Sequence, residues 1–278
     1  MPIILRNNRL ILPNNKVIIK PLNKKTIDYL NATGITDTTQ ISAINYFFDG
    51  IDQYNLTSKL FAAYLFIGGT ASLHKWNAMN PVDSDAAYRL TFYGGITYDS
   101  NGIKGDGISG YADTHINNAI ISQDSFAFGF YSMTNNTFDS IDMGSTIVTN
   151  FLYSVLTSVD SGDFTPFQAL GSINNTSAYC INHNFGNSSG MFLVSRTSST
   201  NVAMYRNGIL GIAASKPSTA PSAVIFYLLA RNANTTAANY SNRGHGFTFF
   251  GTGLTDIDAA NLSSIVNGYQ TILGRNVY

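Results

Sequence analysis

The sequence predicts a mostly β protein: an antiparallel β-sandwich or jelly roll, preceded by a β arm and a short helical connector and closed by a C-terminal helix. Three observations carry this reading. Strand-like apolar runs recur, with turn residues between them every 8–12 positions or so. All sixteen acidic residues are aspartate, a poor helix former where glutamate is a good one. In "NVAMYRNGILGIAASK", residues 201–216, two apolar runs flank Arg206, Asn207 and Gly208. Asn-Gly accepts the two positive φ angles of a type I′ turn, so this stretch predicts a hairpin.

The elements follow in chain order. Three short β runs, Ile3-Ile4-Leu5, Leu10-Ile11-Leu12 and Val17-Ile18-Ile19, are parted by Asn7-Asn8 and Pro13-Asn14-Asn15. Runs this short make no core alone. Residues 1–28 are therefore read as a basic β arm that packs on its own domain, a sister chain or another protein. In "GITDTTQISAINYFFDGIDQYNL", Thr36 or Asp37 is the N-cap, and Ile41, Ile44, Phe48 and Ile51 recur at helical spacing. This predicts a helix over 38–53 within a connector of residues 29–57. The jelly-roll domain occupies 58–278. Its strand-like runs lie at 60–67, 88–93, 125–133, 145–152, 177–182, 190–196, 202–206, 209–213, 223–230 and 245–250. In "SFAFGFYSM", Phe126, Phe128 and Phe130 alternate with Ala127, Gly129 and Tyr131. Both sets are apolar, as in a central strand covered on both faces. The ending "GLTDIDAANLSSIVNGYQTILGRNVY" predicts a helix capped by Thr255, with Asp256 and Asp258 in its first turn. Ile257, Leu262, Ile265, Val266, Tyr269, Ile272 and Leu273 form its apolar face, and Gly274 stands at C′. Asn267-Gly268 interrupts it at a cost of about 1 kcal/mol.

Charged residues make up 12% of the chain, against roughly 25% on average, so Asn, Ser and Thr fill the surface. The net charge is zero but segregated. Residues 1–25 hold Arg6, Arg9, Lys16, Lys20, Lys24 and Lys25 and no acid, whereas fourteen aspartates fall within 26–163. Two readings of the arm stand side by side: electrostatic docking on a partner, with these six residues as the anchor, and a solvated tail. No aromatics interleave its basic residues, so nucleic acid is not an expected partner. Cys180 is the only cysteine, which excludes an internal disulfide and a thiolate cluster. "MPIILRNNRLILPNN" has neither the apolar core nor the cleavage site of a signal peptide. No apolar run approaches the roughly 20 residues of a membrane span. The expectation is a chain made and folded in cytosol, without membrane insertion.

Each candidate motif has a plainer reading. "GDGISG", residues 105–110, is formally G-x-G-x-x-G, but "YADT" follows it instead of a helix, so turn glycines explain it. Asp99, Asn101, Asp106 and Asp113 offer oxygen ligands for calcium, without EF-hand spacing. Aspartates in turns more commonly bond their own backbone, and no cofactor is expected. His74, His115, His183 and His245 are scattered, with no metal-binding spacing. His74 and Trp76 in "SLHKWN" are either a sugar-stacking contact or a packed corner under the sandwich. Glycosidase chemistry on sandwich folds uses paired carboxylates, mostly glutamate, and this chain has none. "GISGY" lacks the last glycine of a nucleophile elbow, and Cys180-x-x-His183 has no further partner. No enzyme is expected.

Several segments resemble known families. "GMFLVSRTSSTNVAMYRNGIL" and "GDGISGYADT" resemble parts of laminin-G-like, concanavalin-A-like jelly rolls. "AAYLFIGGTASLHKWNAMNPVDSDAAYRLTFYGG" and "SNRGHGFTFFGTGLTDIDAANLSSIVNGYQTILGRNV" are similar to blocks in structural proteins of tailed bacteriophages of gut Bacteroidales, including the crAss-like phages. The match runs from about residue 35 to 277 and leaves the first 30 residues outside it. The resemblance implies a virion component assembled in the host bacterial cytoplasm. Its implied role is a head-fibre or capsid-decoration protein anchored by the arm to capsid or fibre proteins, as a homo-oligomer. The alternative is a tail-fibre adhesin binding host glycan through jelly-roll loops.

Overall fold

The computed structural model describes residues 4–6, 9–11, 21–147, 152–160, 167–177 and 179–278. In chain order the elements are β1 (Ile4–Arg6), β2 (Arg9–Ile11), α1 (Lys24–Thr33), α2 (Thr38–Gln53), β3 (Leu60–Tyr64), α3 (Ala71–His74), β4 (Thr91–Tyr93), β5 (Ile96–Asp99), β6 (Gly102–Gly105), β7 (Tyr111–Asn117), β8 (Phe126–Ser132) and β9 (Met143–Ile147). They continue with β10 (Leu152–Asp160), β11 (Gln168–Asn175), β12 (Ile181–Asn184), β13 (Gly190–Arg196), β14 (Asn201–Arg206), β15 (Ile209–Ser215), β16 (Ile225–Leu228), β17 (Arg231–Ala233), β18 (Thr236–Ala238), β19 (Gly244–Gly251) and α4 (Asp256–Ile272). Two large sheets face each other. One runs β15-β14-β13-β8-β19-β6-β5, with β3 on β19; the other runs β12-β11-β10-β9-β16-β7-β4, with the β17/β18 hairpin on β9. The pairings are antiparallel apart from β17 with β9. The expected β-sandwich with a C-terminal helix is the observed architecture.

The layers explain the two-sided strand. Phe126, Phe128 and Phe130 of β8 enter the core between the sheets, beside Phe226, Phe250 and Phe192. Ala127 and Tyr131, on the opposite face, join a second core with Phe247 and Phe249 of β19 and with α2 and α4. The first sheet is therefore a middle layer, with helices on one side and the second sheet on the other. This differs from the expected connector over 29–57: α1 and α2 are a packed layer of the domain. Asp37 caps α2 by accepting from the Gln40 N–H, and Ile41, Ile44, Phe47, Phe48 and Ile51 are buried. Thr255 and Asp258 form a reciprocal capping box on α4. The helix continues through Asn267-Gly268, where a Cβ at Gly268 would collide with the Tyr46 hydroxyl and ring edge of α2. Glycine there lets α2 and α4 approach closely, which offsets its propensity cost.

Other expectations need correction. The β arm does not extend to residue 28. Lys24 and Lys25 begin α1, capped by Asn23 and ended by Gly34 in the left-handed region at φ 72°. This ten-residue helix holds Thr, Asp and Asn among few apolar residues, so its period is faint. The first two expected β runs appear as β1 and β2, which pair with each other antiparallel; the third run, Val17-Ile18-Ile19, lies outside the described residues. The hairpin β5/β6 was not expected, because its small residues and glycines read as turns; β7 begins at Tyr111 in the laminin-G-like segment "GDGISGYADT", although 111–117 was not among the strand-like runs. Within β7 the alternation is nonetheless strict: Ala112, Thr114 and Ile116 are buried and the residues between them are not. The run expected at 177–182 is instead β11 at 168–175 and β12 at 181–184. The run expected at 145–152 splits between β9 and β10.

Candidate binding surfaces

Of the six basic residues proposed as an anchor, Arg6 and Arg9 sit opposite each other where β1 meets β2. Lys16 and Lys20 lie outside the described residues. Lys24 and Lys25 are already partnered within the fold: Lys24 Nζ is 2.6 Å from Asp28 and Lys25 Nζ 3.2 Å from Asp52.

His74 is not a surface contact. It closes the short helix α3 and is 1% exposed. Its Nε2 accepts the Gly69 N–H at 3.1 Å, and its ring packs edge-on to Phe66. Burial, helped by the nearby Arg275 charge, lowers its pKa to about 4, so the ring is neutral at physiological pH. Trp76 is half-buried against the helical core, with the Lys75 ammonium 5.1 Å over its ring. The pair forms a packed corner.

The Gly-rich turn uses its amides internally. Asp106 Oδ1 accepts from the N–H groups of Ile108, Ser109 and Gly110, and Oδ2 from the Ser109 hydroxyl. These bonds hold the Asp106 carboxyl well below the usual carboxylate range. Asp99 Oδ1 accepts from Asn101 N–H, and Asp113 Oδ1 from His115 N–H. The proposed calcium ligands thus serve separate turns and strands. Among the described residues no three His, Cys or Asp side chains gather as a metal site. Cys180 is buried, its thiol directed at the Gly171 carbonyl and its pKa raised by burial.

Charges that the sequence did not flag lie inside. Arg243 and Asp142 are fully buried and pair at 2.9 Å. Arg243 also donates to the Phe138 carbonyl, Ser140 and Thr157, while Asp142 accepts from Ser158 and Ser241. Burial alone would raise the Asp142 carboxyl; Arg243 and His245 outweigh it and bring it well below the usual range. Arg275 donates to Gln270 and to the carbonyls of Leu65, Phe66, Ser100 and Gly246. It fastens the segment after α4 to the middle sheet. These groups are saturated by the protein itself and act as fasteners.

A partly exposed aromatic cluster lies on the outward face of the second sheet, with Tyr93 exposed and Tyr227 buried. Tyr93 of β4 stacks on Tyr111 of β7, with centroids 4.9 Å apart and planes at 15°. Tyr111 in turn packs on Tyr227 of β16 at 4.6 Å, and Tyr240 approaches at 6.4 Å. Asp113 lies on the same face of β7, directly opposite Thr91. The four tyrosines are up to 147 positions apart in sequence, so no motif reveals them; only the strand order assembles the row.

No family model matches the chain, and no curated protein matches it by sequence. Solved structures do match. Botulinum neurotoxin type C, whose cell entry is described as dependent upon interaction with two ganglioside molecules, superposes at a TM-score of 0.51 and 13% identity. The match covers 77% of this chain and 53% of that one. Domain 4 of AbnA, a GH43 extracellular arabinanase from Geobacillus stearothermophilus in complex with arabinotriose, gives 0.48 at 13% identity, over 74% of this chain and 98% of that domain. The binding domain of botulinum neurotoxin serotype D gives 0.47 at 11%, over 75% and 52%. The chain thus spans about half the length of the neurotoxin chains it matches. What is shared is the β-sandwich fold.

Proposed function

We propose that this chain is a non-enzymatic structural component of a bacteriophage virion, a head-fibre or capsid-decoration protein held by its amino-terminal segment. The observation that carries the reading is the pairing of that segment: among the described residues, β1 and β2 pair with each other and with neither large sheet. A short hairpin of this kind is suited to adding strands to a partner's sheet edge, where main-chain bonds supply affinity. The sequence blocks that resemble phage structural proteins point the same way, with capsid or fibre proteins and sister copies as partners.

Deleting residues 1–20 tests the reading. The truncated protein is expected to keep its circular dichroism spectrum and melting temperature while its copy number in purified virions falls to background. Incorporation at full copy number would refute the anchor. A cut at residue 25 is unsuitable, since Leu22 is buried and Asn23 caps α1 and bonds Asn45 and Asp52. For the non-enzymatic part, incubation with bacterial capsular polysaccharides should yield no new reducing ends. Turnover abolished by a single aspartate substitution would overturn it.

A further inference from the structure

We infer that the tyrosine row on the outward face of the second sheet, Tyr93, Tyr111, Tyr227 and Tyr240 beside Asp113, is a binding site for a neutral saccharide chain. A sugar ring is amphipathic: it offers an apolar C–H face and a rim of hydroxyls. It therefore needs a flat aromatic surface next to free hydrogen-bonding groups, and both are present. Tyr93 stands on the edge strand β4. One face of its ring is covered by Tyr111, and the residue is 45% exposed, which leaves the other face as a platform. The inner rings fix its orientation, so little side-chain entropy is lost on binding.

The polar half of the site is equally unspent. None of the four phenol hydroxyls bonds a described residue. Asp113 accepts the His115 N–H through Oδ1 alone, so Oδ2 remains for a ligand hydroxyl. Burial raises the phenol pKa values of Tyr111 and Tyr227, the latter to about 12 with help from the Asp113 charge, so these two are protonated donors. The charges nearby exclude an anionic ligand. Arg89 is held by Asp83 and Asp85, and Lys75 by Asp83, and the basic group that lies against the Asp113 carboxylate is the His115 ring, its Nδ1 3.6 Å from Oδ1. His115 is occupied in the same way, its Nε2 2.9 Å from the Thr91 hydroxyl and 3.4 Å from Asp85. The site is distinct from the packed corner at His74 and Trp76, and it does not depend on how the chain is anchored.

Native affinity gels carrying mannan, β-glucan or xylan, with polygalacturonate as the anionic control, test the site on the full chain. Oligosaccharides of any retarding polymer would then be titrated calorimetrically. At least one neutral polymer should retard the protein, and polygalacturonate should not. Tyr93→Ala and Asp113→Asn should each weaken binding about tenfold or more, while Tyr93→Phe, which keeps the ring, should stay within about threefold. Both positions are solvent-accessible, and unchanged melting temperatures would show that the variants fold. The inference is overturned if no neutral polymer binds, if polygalacturonate binds equally, or if binding survives both Tyr93→Ala and Asp113→Asn. The arm deletion leaves this site intact, so loss of virion incorporation and loss of saccharide binding are read on different variants.

Discussion

A buried imidazole that gives up a hydrogen bond on charging is a liability in acid, and His74 is such a group. Its Nε2 is the acceptor for Gly69, so protonation removes that bond and also charges a buried ring. Its pKa is about 4 in the fold and about 6.5 in the unfolded chain. Between these values the unfolded chain binds the proton first. The stability His74 contributes is complete above about pH 6.5 and drains away toward pH 4, on the order of 3 kcal/mol in all. His245, also depressed by burial, acts in the same direction. Urea midpoints at pH 7 and pH 4.5 should fall further for the parent than for His74→Gln; equal falls would dismiss the effect. The Asp142–Arg243 pair makes a second prediction. Asp142→Asn leaves a buried guanidinium without its counter-charge and should cost about 3–5 kcal/mol, read as a lower denaturant midpoint. A variant within about 0.5 kcal/mol of the parent would show that the remaining partners of Arg243 suffice.

At the scale of elements, the hairpin between β14 and β15 is the clearest case of sequence dictating geometry. Asn207 and Gly208 have φ of 54° and 78°, as a type I′ turn requires, and Asn207 Oδ1 accepts from the Met191 N–H to tie the tip to β13. A Cβ at Gly208 would also lie 2.9 Å from Ala260 of α4. Gly208→Val therefore combines a strained φ with a collision and should cost about 2–3 kcal/mol; an unaltered melting temperature would refute this. Such local chemistry was legible because turn and cap residues act over two to four positions. Thr255 as a cap, the period of α2 and the two-faced character of β8 were readable on the same ground. What the sequence concealed depends on distant neighbours. The helix α1 is weak in isolation and owes its place to Tyr29 and Leu30 meeting α2's core residues. β11 has only Leu170 and Ile173 as large apolar residues, and its small and polar residues are buried because partner strands flank it. The tyrosine row draws on three strands whose adjacency follows from topology alone, whereas Trp76, flagged from its residue type, packs against the helical core.

For the whole molecule, the three-layer order ranks its parts by stability. β8 pairs with β13 and β19 and has both faces covered, so its amides should exchange slowest of all, and those of the β1/β2 hairpin fastest. Native-state hydrogen exchange checks the ranking; β8 exchanging with the edge strands would contradict it. The middle sheet has a further consequence. Its helix-facing side carries Tyr131, Met191, Leu193, Phe247 and Phe249, greasy residues that no sandwich of two sheets alone would place toward water. If α2 and α4 detached while the two sheets held, the molecule would keep most of its β structure yet become sticky across a broad flat face. Keeping that face out of water accordingly rests on two helices and their caps at Asp37 and Thr255.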